Sequence, residues 1–322
     1  MVTRGGWQVV SSVILLANAF VAPVCFAQDV TIADTGLEDA LRLALGIPEA
    51  PLQASDLQRI TALNAASRAI TNLSGIEYCT SLLDLDLRAN QITSLTPLAS
   101  LSSLQVLNLS QNQIADLSPL GTLESLTELY LGGNKIATAA PLVTLTNLRR
   151  LSLDSNQLAE IIPLAGLTSL SYLTLNENSL TSLAPVSTLT NLAWLDANYN
   201  AISDLSPLQS LTRLTRLALD ENLIANLAPL GSLTALTVLS LTGNAVSDIA
   251  ALKDMTDLVY LSLKSNTVEN IMPLAGLVNL QTLHLTNNRV NDLTPVANLT
   301  SLRTLSLGNN NVRYLDALVA NE

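Results

Sequence analysis

The chain is poor in the side chains from which most reaction centres are built. One histidine, His284, and two cysteines, Cys25 and Cys79, occur in 322 residues. They supply neither a metal cage nor a Cys/His nucleophile pair. Aromatic residues make up only 3% and charged residues 13%. The balance of 15 basic against 26 acidic side chains gives a net charge of −11, without a single Lys/Arg-rich run. A basic face that could hold a phosphate backbone is therefore not expected, which argues against a nucleic-acid partner. The carboxylate pairs Asp84/Asp86 and Asp220/Glu221 lack the glycine-bounded loop of a calcium site. Neither metal nor cofactor is expected, and the chain reads as non-enzymatic. What it has in abundance is aliphatic: 48% of residues are hydrophobic, enough for a large core and too apolar for disorder.

Residues 1–27 read as a secretory signal. Arg4 precedes an apolar stretch from Val9 to Val24, and small residues stand at the −3 and −1 positions of Cys25-Phe26-Ala27. Ser11, Ser12, Asn18 and Pro23 make the same stretch a poor membrane anchor. Cleavage after Ala27 leaves one cysteine, so no intramolecular disulfide, and no further run long enough to span a bilayer. The expected location is extracellular, at the cell surface or periplasmic.

Self-similarity dominates the rest. Asn90, Asn112, Asn134, Asn156, Asn178, Asn200, Asn222, Asn244, Asn266, Asn288 and Asn310 follow one another at intervals of 22 residues, without an insertion. Around each runs L-x-x-L-x-L-x-x-N-x-I/L/V, then a return segment containing x-P-L/V-x-x-L in most copies, with Ala251 replacing proline in one. This is the leucine-rich repeat template. The L-x-L alternation places both leucines on one face of a short strand. An asparagine suits the corner that follows, because its amide both donates and accepts. The prolines favour short 3₁₀ turns on the return side. The expected fold is an α/β solenoid: a right-handed superhelix with a parallel concave sheet, a 3₁₀ or extended convex side and a small helical N-terminal cap.

The 22-residue period, the proline-bearing return and the segment ahead of the first full copy resemble the bacterial internalin family over about residues 29–318. The cap carries the likeness best. Thr35-Gly36-Leu37-Glu38 reads as a capping box opening a helix through Gly46, and a second short helix is expected near Ala54 to Arg59. A degenerate repeat follows, with Arg68 where asparagine is expected. The expected organisation is a signal peptide over 1–27, the cap with its degenerate repeat over 28–76, and a solenoid of eleven copies over 77–322, the last truncated. Cys79 occupies a leucine position and reads as buried and inert. Unlike the larger internalins, the sequence shows no immunoglobulin-like module or wall-sorting motif after Leu318, so wall attachment is not carried over. The last set of core residues, Leu305 to Leu318, predicts an edge that frays, pairs with another chain or is shielded by the tail.

Choice of partner has to come from positions the scaffold leaves variable, those one, two, four, six and seven residues before each asparagine. Of ten aromatic residues, three lie in the leader, Tyr78 in the cap region and Tyr314 near the end. The other five, Tyr130, Tyr172, Trp194, Tyr199 and Tyr260, all fall on these concave positions. Six residues before successive asparagines stand Arg150, Tyr172, Trp194 and Arg216, an aromatic pair between two guanidiniums. Exposed Trp, Tyr and Arg are typical of binding hot spots, although such a group can equally satisfy itself through cation–π contacts. Asp154, Glu177, Asp196 and Asp220 surround it and complete the candidate partner-binding set. His284 shares the face but has no partner for catalysis.

The resemblance implies a secreted or cell-surface scaffold that recognises a protein partner through this face, in adhesion to or interaction with host cells. Two other readings stay open. One is a structural envelope role through self-association at the C-terminal edge; the other is carbohydrate binding on the concave aromatics.

Overall fold

A computed structural model describes residues 29–316; the leader expected over 1–27 lies outside them. Twelve three-residue strands, β1 (Ala62–Asn64) to β12 (Thr304–Ser306), form one parallel sheet in strict chain order. Each residue of a strand pairs with the residue 22 positions on, as Leu107 does with Leu129. The register never slips along the sheet. The return segments are short 3₁₀ turns of three to five residues, such as Ser118–Thr122 and Thr96–Leu98. Proline stands at the first or second position of those at Ser118, Ala140 and Ile162, where its fixed φ fits and its missing N–H is not needed. The fold is the leucine-rich repeat solenoid.

The interior is a leucine column repeated copy by copy. Leu104, Leu107, Leu109, Ile114, Leu117, Leu120 and Leu123 of one copy are all sealed from solvent, as are their counterparts as far as Leu299. Aliphatic side chains of one size stack without gaps only if every copy presents the same shape, which is why the aromatics are kept outside. Cys79 fills such a place at 0% exposure; burial first, and the Glu77 carboxylate second, push its thiol up to about 12. It stays a protonated hydrophobe.

The eleven asparagines form a file down the end of the sheet. Asn112 shows the geometry: its Nδ2 donates to Leu87 O and Leu109 O, both at 3.0 Å, and its Oδ1 accepts from Ile92 N at 3.0 Å. One amide thus closes the corner of its own copy and locks it to the copy before. The preceding residue takes a left-handed backbone in all eleven copies, from Ala89 at φ 56° to Asn309 at φ 54°, and only Gly133 and Gly243 are glycines.

The N-terminal end is closed by α1 (Thr35–Leu45) and α2 (Ala54–Leu57), whose Leu37, Leu41 and Leu57 are fully buried. The structure corrects the expected capping box. The N-cap is Asp34, one residue earlier than Thr35, and its Oδ1 accepts from Leu37 N at 3.1 Å. Glu38 does not reach back; it pairs with Arg42 at 2.7 Å, one turn on. The reason is tertiary. Asp34 Oδ2 also accepts from Thr71 N, Thr71 Oγ1 and Asn72 N, so one carboxylate caps the helix and ties it to the degenerate repeat. Burial raises the pKa of Asp34, but these hydrogen bonds outweigh it and hold the carboxyl below its ordinary value.

The other end differs. In the last copy Leu302, Leu305, Leu307 and Val312 are only partly buried, and β12 has a partner on one side alone among the described residues.

Candidate functional site

The concave face is built by the outward residues of the strands, and register decides who meets whom. In β4 (Glu128–Tyr130), β5 (Arg150–Ser152), β6 (Tyr172–Thr174), β7 (Trp194–Asp196) and β8 (Arg216–Ala218), the first residues are direct neighbours. Glu128, Arg150, Tyr172, Trp194 and Arg216 therefore stand in one row, spaced about 4.8 Å apart.

The row is continuous in contact as well as in position. The Arg150 guanidinium lies 5.5 Å from the centroid of the Tyr172 ring. Tyr172 and Trp194 stack with centroids 5.2 Å apart and planes tilted by 35°. The Arg216 guanidinium lies over the Trp194 ring, 4.4 Å from its centroid. Behind the row, Arg216 Nε donates to Asp196 Oδ1 at 3.1 Å, and Arg216 Nη2 reaches Oδ2 at 3.3 Å. At the far end Tyr130 OH donates to Glu128 Oε2 at 2.5 Å, while Arg150 Nε stands 3.7 Å from Glu128 Oε1.

Electrostatics follows from this packing. Burial first, then the Glu128 hydrogen bond and charge, push the Tyr130 phenol up to about 12. Burial and the carboxylates of Asp196 and Asp154 also raise Tyr172. Both tyrosines are uncharged donors at neutral pH. The indole Nε1 of Trp194 is buried without a hydrogen-bond partner, a donor the free protein leaves unused at an energetic penalty.

Not every expected residue joins the row. Asp154 is spent within the scaffold: its Oδ1 accepts from Asn176 N at 2.8 Å and Asn176 Nδ2 at 2.7 Å, and its Oδ2 from Ser152 Oγ and Thr174 Oγ1. The pattern continues as a second file. Asn176 Oδ1 takes Asn198 N, Asn198 Oδ1 takes Asp220 N, and Asp220 Oδ1 takes Thr242 N and Ser240 Oγ. The sequence alone places Asp154 and Asp220 in the candidate partner-binding set. The signal was available in the run Asp154, Asn176, Asn198 and Asp220, all side-chain acceptors two residues before the ladder asparagine.

Glu177 and Tyr199 stand apart on the rim. Tyr199 is 58% exposed and left-handed at φ 55°. Bulky residues rarely adopt that backbone, so neither packing nor conformation accounts for a tyrosine there. Tyr260 is separated from the row by Val238 and meets His284 edge-on at 5.7 Å. His284 Nδ1 in turn lies 2.9 Å from Ser306 Oγ.

A further device escaped sequence reading on the return side. The side chain two residues ahead of most 3₁₀ turns accepts the first N–H of the turn, as Asp116 does from Ser118 and Asp204 from Ser206. Hydrogen bonds from those serines hold both exposed carboxyls below their ordinary value. Glu160 makes no such bond to Ile162, its carboxylate standing one methylene further out.

Known proteins place this architecture. An internalin F of Listeria monocytogenes matches with 32% identity and a TM-score of 0.81 over 90% of this chain and 93% of its own. The chain belongs to the internalin family. Internalin C2 of the same organism is also 32% identical, covering 71% of this chain and 92% of its own with a TM-score of 0.58. The functional domain of the Listeria internalin InlJ, described as including a cysteine ladder, is 25% identical with a TM-score of 0.80, over 89% of this chain and 62% of its own. In this chain the side chains that run in file along the stack are asparagines, as at Asn112, and Cys79 is the one cysteine among the described residues. The family model described as leucine-rich repeats in two copies matches residues 102–143 and 278–319. No curated protein shows a significant sequence match. The internalin likeness supports a protein-binding scaffold in general. Among the described residues no helix is long and apolar enough to cross a membrane, and no group of His, Cys, Asp and Glu could hold a metal ion.

Proposed function

We propose that this internalin-family chain is an exported, non-enzymatic scaffold that recognises a protein on a cell surface through its concave face, in adhesion to host or neighbouring cells. The observation that carries the reading is the row Arg150–Tyr172–Trp194–Arg216, where rings and guanidiniums stand side by side on the concave face. The core of this fold has no use for rings of that size, and other copies put Val106 and Val238 at the same place. Large, preorganised aromatic and arginine side chains give contact area at little loss of conformational freedom on binding. Tyr199, exposed on the adjoining rim, extends the patch. The test is affinity capture from cell-surface extracts with the wild-type protein and a Tyr172→Ala/Trp194→Ala/Tyr199→Ala variant. Loss of the captured partner with the variant is expected; equal capture by both proteins overturns the site.

The partly buried Leu302, Leu305, Leu307 and Val312 favour a second reading, self-association through the C-terminal edge. Sedimentation should then show concentration-dependent dimers. A strict monomer with strong amide-exchange protection at Leu305 overturns it.

A further inference from the structure

The row has a chemical polarity that narrows what can lie on it. Arg150 has a side chain 52% exposed, and its closest acid is Glu128 at 3.7 Å, through Nε alone. Neither of its terminal Nη groups makes a hydrogen bond among the described residues, the guanidinium otherwise lying over the Tyr172 ring. Arg216 uses Nε and Nη2 on Asp196 and leaves Nη1 unbonded. The two guanidiniums therefore end the row with donors to spare, and the aromatic pair lies midway between them.

We infer that the concave row binds an extended peptide segment of the form acid–x–apolar–x–acid, its carboxylates on Arg150 and Arg216 and its central side chain on Tyr172 and Trp194. The inference rests on the concave-face reading above and adds the class of ligand. Spacing carries it. Arg150 and Arg216 are three strand steps apart, about 14 Å at about 4.8 Å per step. An extended chain rises about 3.3 Å per residue, so four residues cover about 13 Å, and residues i, i+2 and i+4 all point to one side. The central side chain then falls over the midpoint of the row, where the rings are.

The local carboxylates keep their charge but have their oxygens occupied, so they compete for neither guanidinium's spare donors. Asp154 is saturated by Ser152, Thr174 and Asn176, and Asp196 is paired with Arg216. Glu128 is engaged by Tyr130. Glu177 and Glu221 on the rim are exposed, and they disfavour a carboxylate anywhere except over a guanidinium. That makes the spacing selective, since charge complementarity fixes register more than it adds affinity. The charge-assisted hydrogen bonds at the two ends are those for which a planar guanidinium is suited.

The experiment pans a phage-displayed library of random linear nonapeptides on the protein and on three variants: Arg150→Glu, Asp196→Asn/Arg216→Gln, and Tyr172→Ala/Trp194→Ala. Arg150 is exposed enough for its reversal to leave the fold intact, and the double variant removes both charges of the inner pair together. The expected consensus on the wild type has Asp or Glu at i and i+4 around an apolar i+2. A synthetic peptide of that consensus should bind Arg150→Glu at least tenfold more weakly, with the acid preference lost at one end. The double variant should lose the preference at the other. Peptides that need Tyr172 and Trp194 but show no acid pair, or whose consensus is unchanged by Arg150→Glu, overturn the inference and leave the concave site standing. Binding indifferent to the Tyr172→Ala/Trp194→Ala change overturns both. Failure to enrich any peptide overturns the inference, while capture of a folded partner still tests the broader reading.

Discussion

The asparagine file and the aromatic row cross the same strands, yet the first runs through eleven copies without substitution and the second through four. The difference lies in what each side chain faces. An asparagine such as Asn200 meets the same three backbone groups in every copy, Leu175 O, Ala197 O and Leu180 N. Its surroundings repeat, so its identity repeats. Tyr172 and Trp194 stand on the concave face, stacked on each other and on their flanking arginines. Nothing in the repeat requires them, and they occur in the middle of the sheet alone. In a solenoid, regularity marks what holds the stack together and irregularity marks what the stack presents.

Mutations can break that contrast. The largest effect is expected for Asn200→Ala, which removes the partner of one N–H and three carbonyls near the core and should lower stability by about 3 kcal/mol or more. Urea unfolding measures it, and hydrogen exchange should show the loosened amides in the flanking copies first. Arg216→Ala is expected to cost about 1–3 kcal/mol, because Asp196, 7% exposed, loses its counter-charge. The Asp196→Asn background should recover most of this loss in a double-mutant cycle. A full loss that survives in that background would mean Arg216 acts through its packing on Trp194 instead.

The row also makes a prediction for alkaline pH. Tyr130 is raised from about 10 to about 12 in the folded protein. The unfolded phenol ionises first, so the stability carried by the neutral Tyr130–Glu128 pair is intact below pH 10 and is lost as pH rises from 10 towards 12. Ultraviolet titration should show a late phenol that disappears in Tyr130→Phe, and that variant should have a flatter stability profile above pH 10. The smallest effect is expected for Tyr199→Ala, within about 0.5 kcal/mol of wild type. That side chain is exposed on a left-handed residue, so its removal should change partner capture and leave the thermal midpoint where it was.

Much of the architecture was readable from spacing. The position of every strand, the buried leucines and the turn prolines follow from a 22-residue frame that never shifts, because parallel strands in register demand equal arc lengths. The aromatic positions were equally legible, since the frame alone says which residues point outward. The start of α1 was not: Asp34 displaced Thr35 as the cap because it also bonds Thr71 and Asn72, residues far along the chain. The use of Asp154 and Asp220 within the scaffold was legible only as a run of side-chain acceptors at one frame position, because the role passes between Asp and Asn and leaves no repeated letter to notice.

The sequence by itself determined the period, the identity of the core and the face on which the rings lie, since each depends on the position of a residue within its own copy. Only the tertiary structure decided which polar groups remain free. Asp154 is consumed by the next copy, Asp196 is masked by Arg216, and Arg150 keeps its terminal nitrogens open. Those outcomes depend on pairs of side chains 20 to 22 residues apart brought within a few ångströms by the stacking, and a pair has no meaning until the two copies are laid side by side.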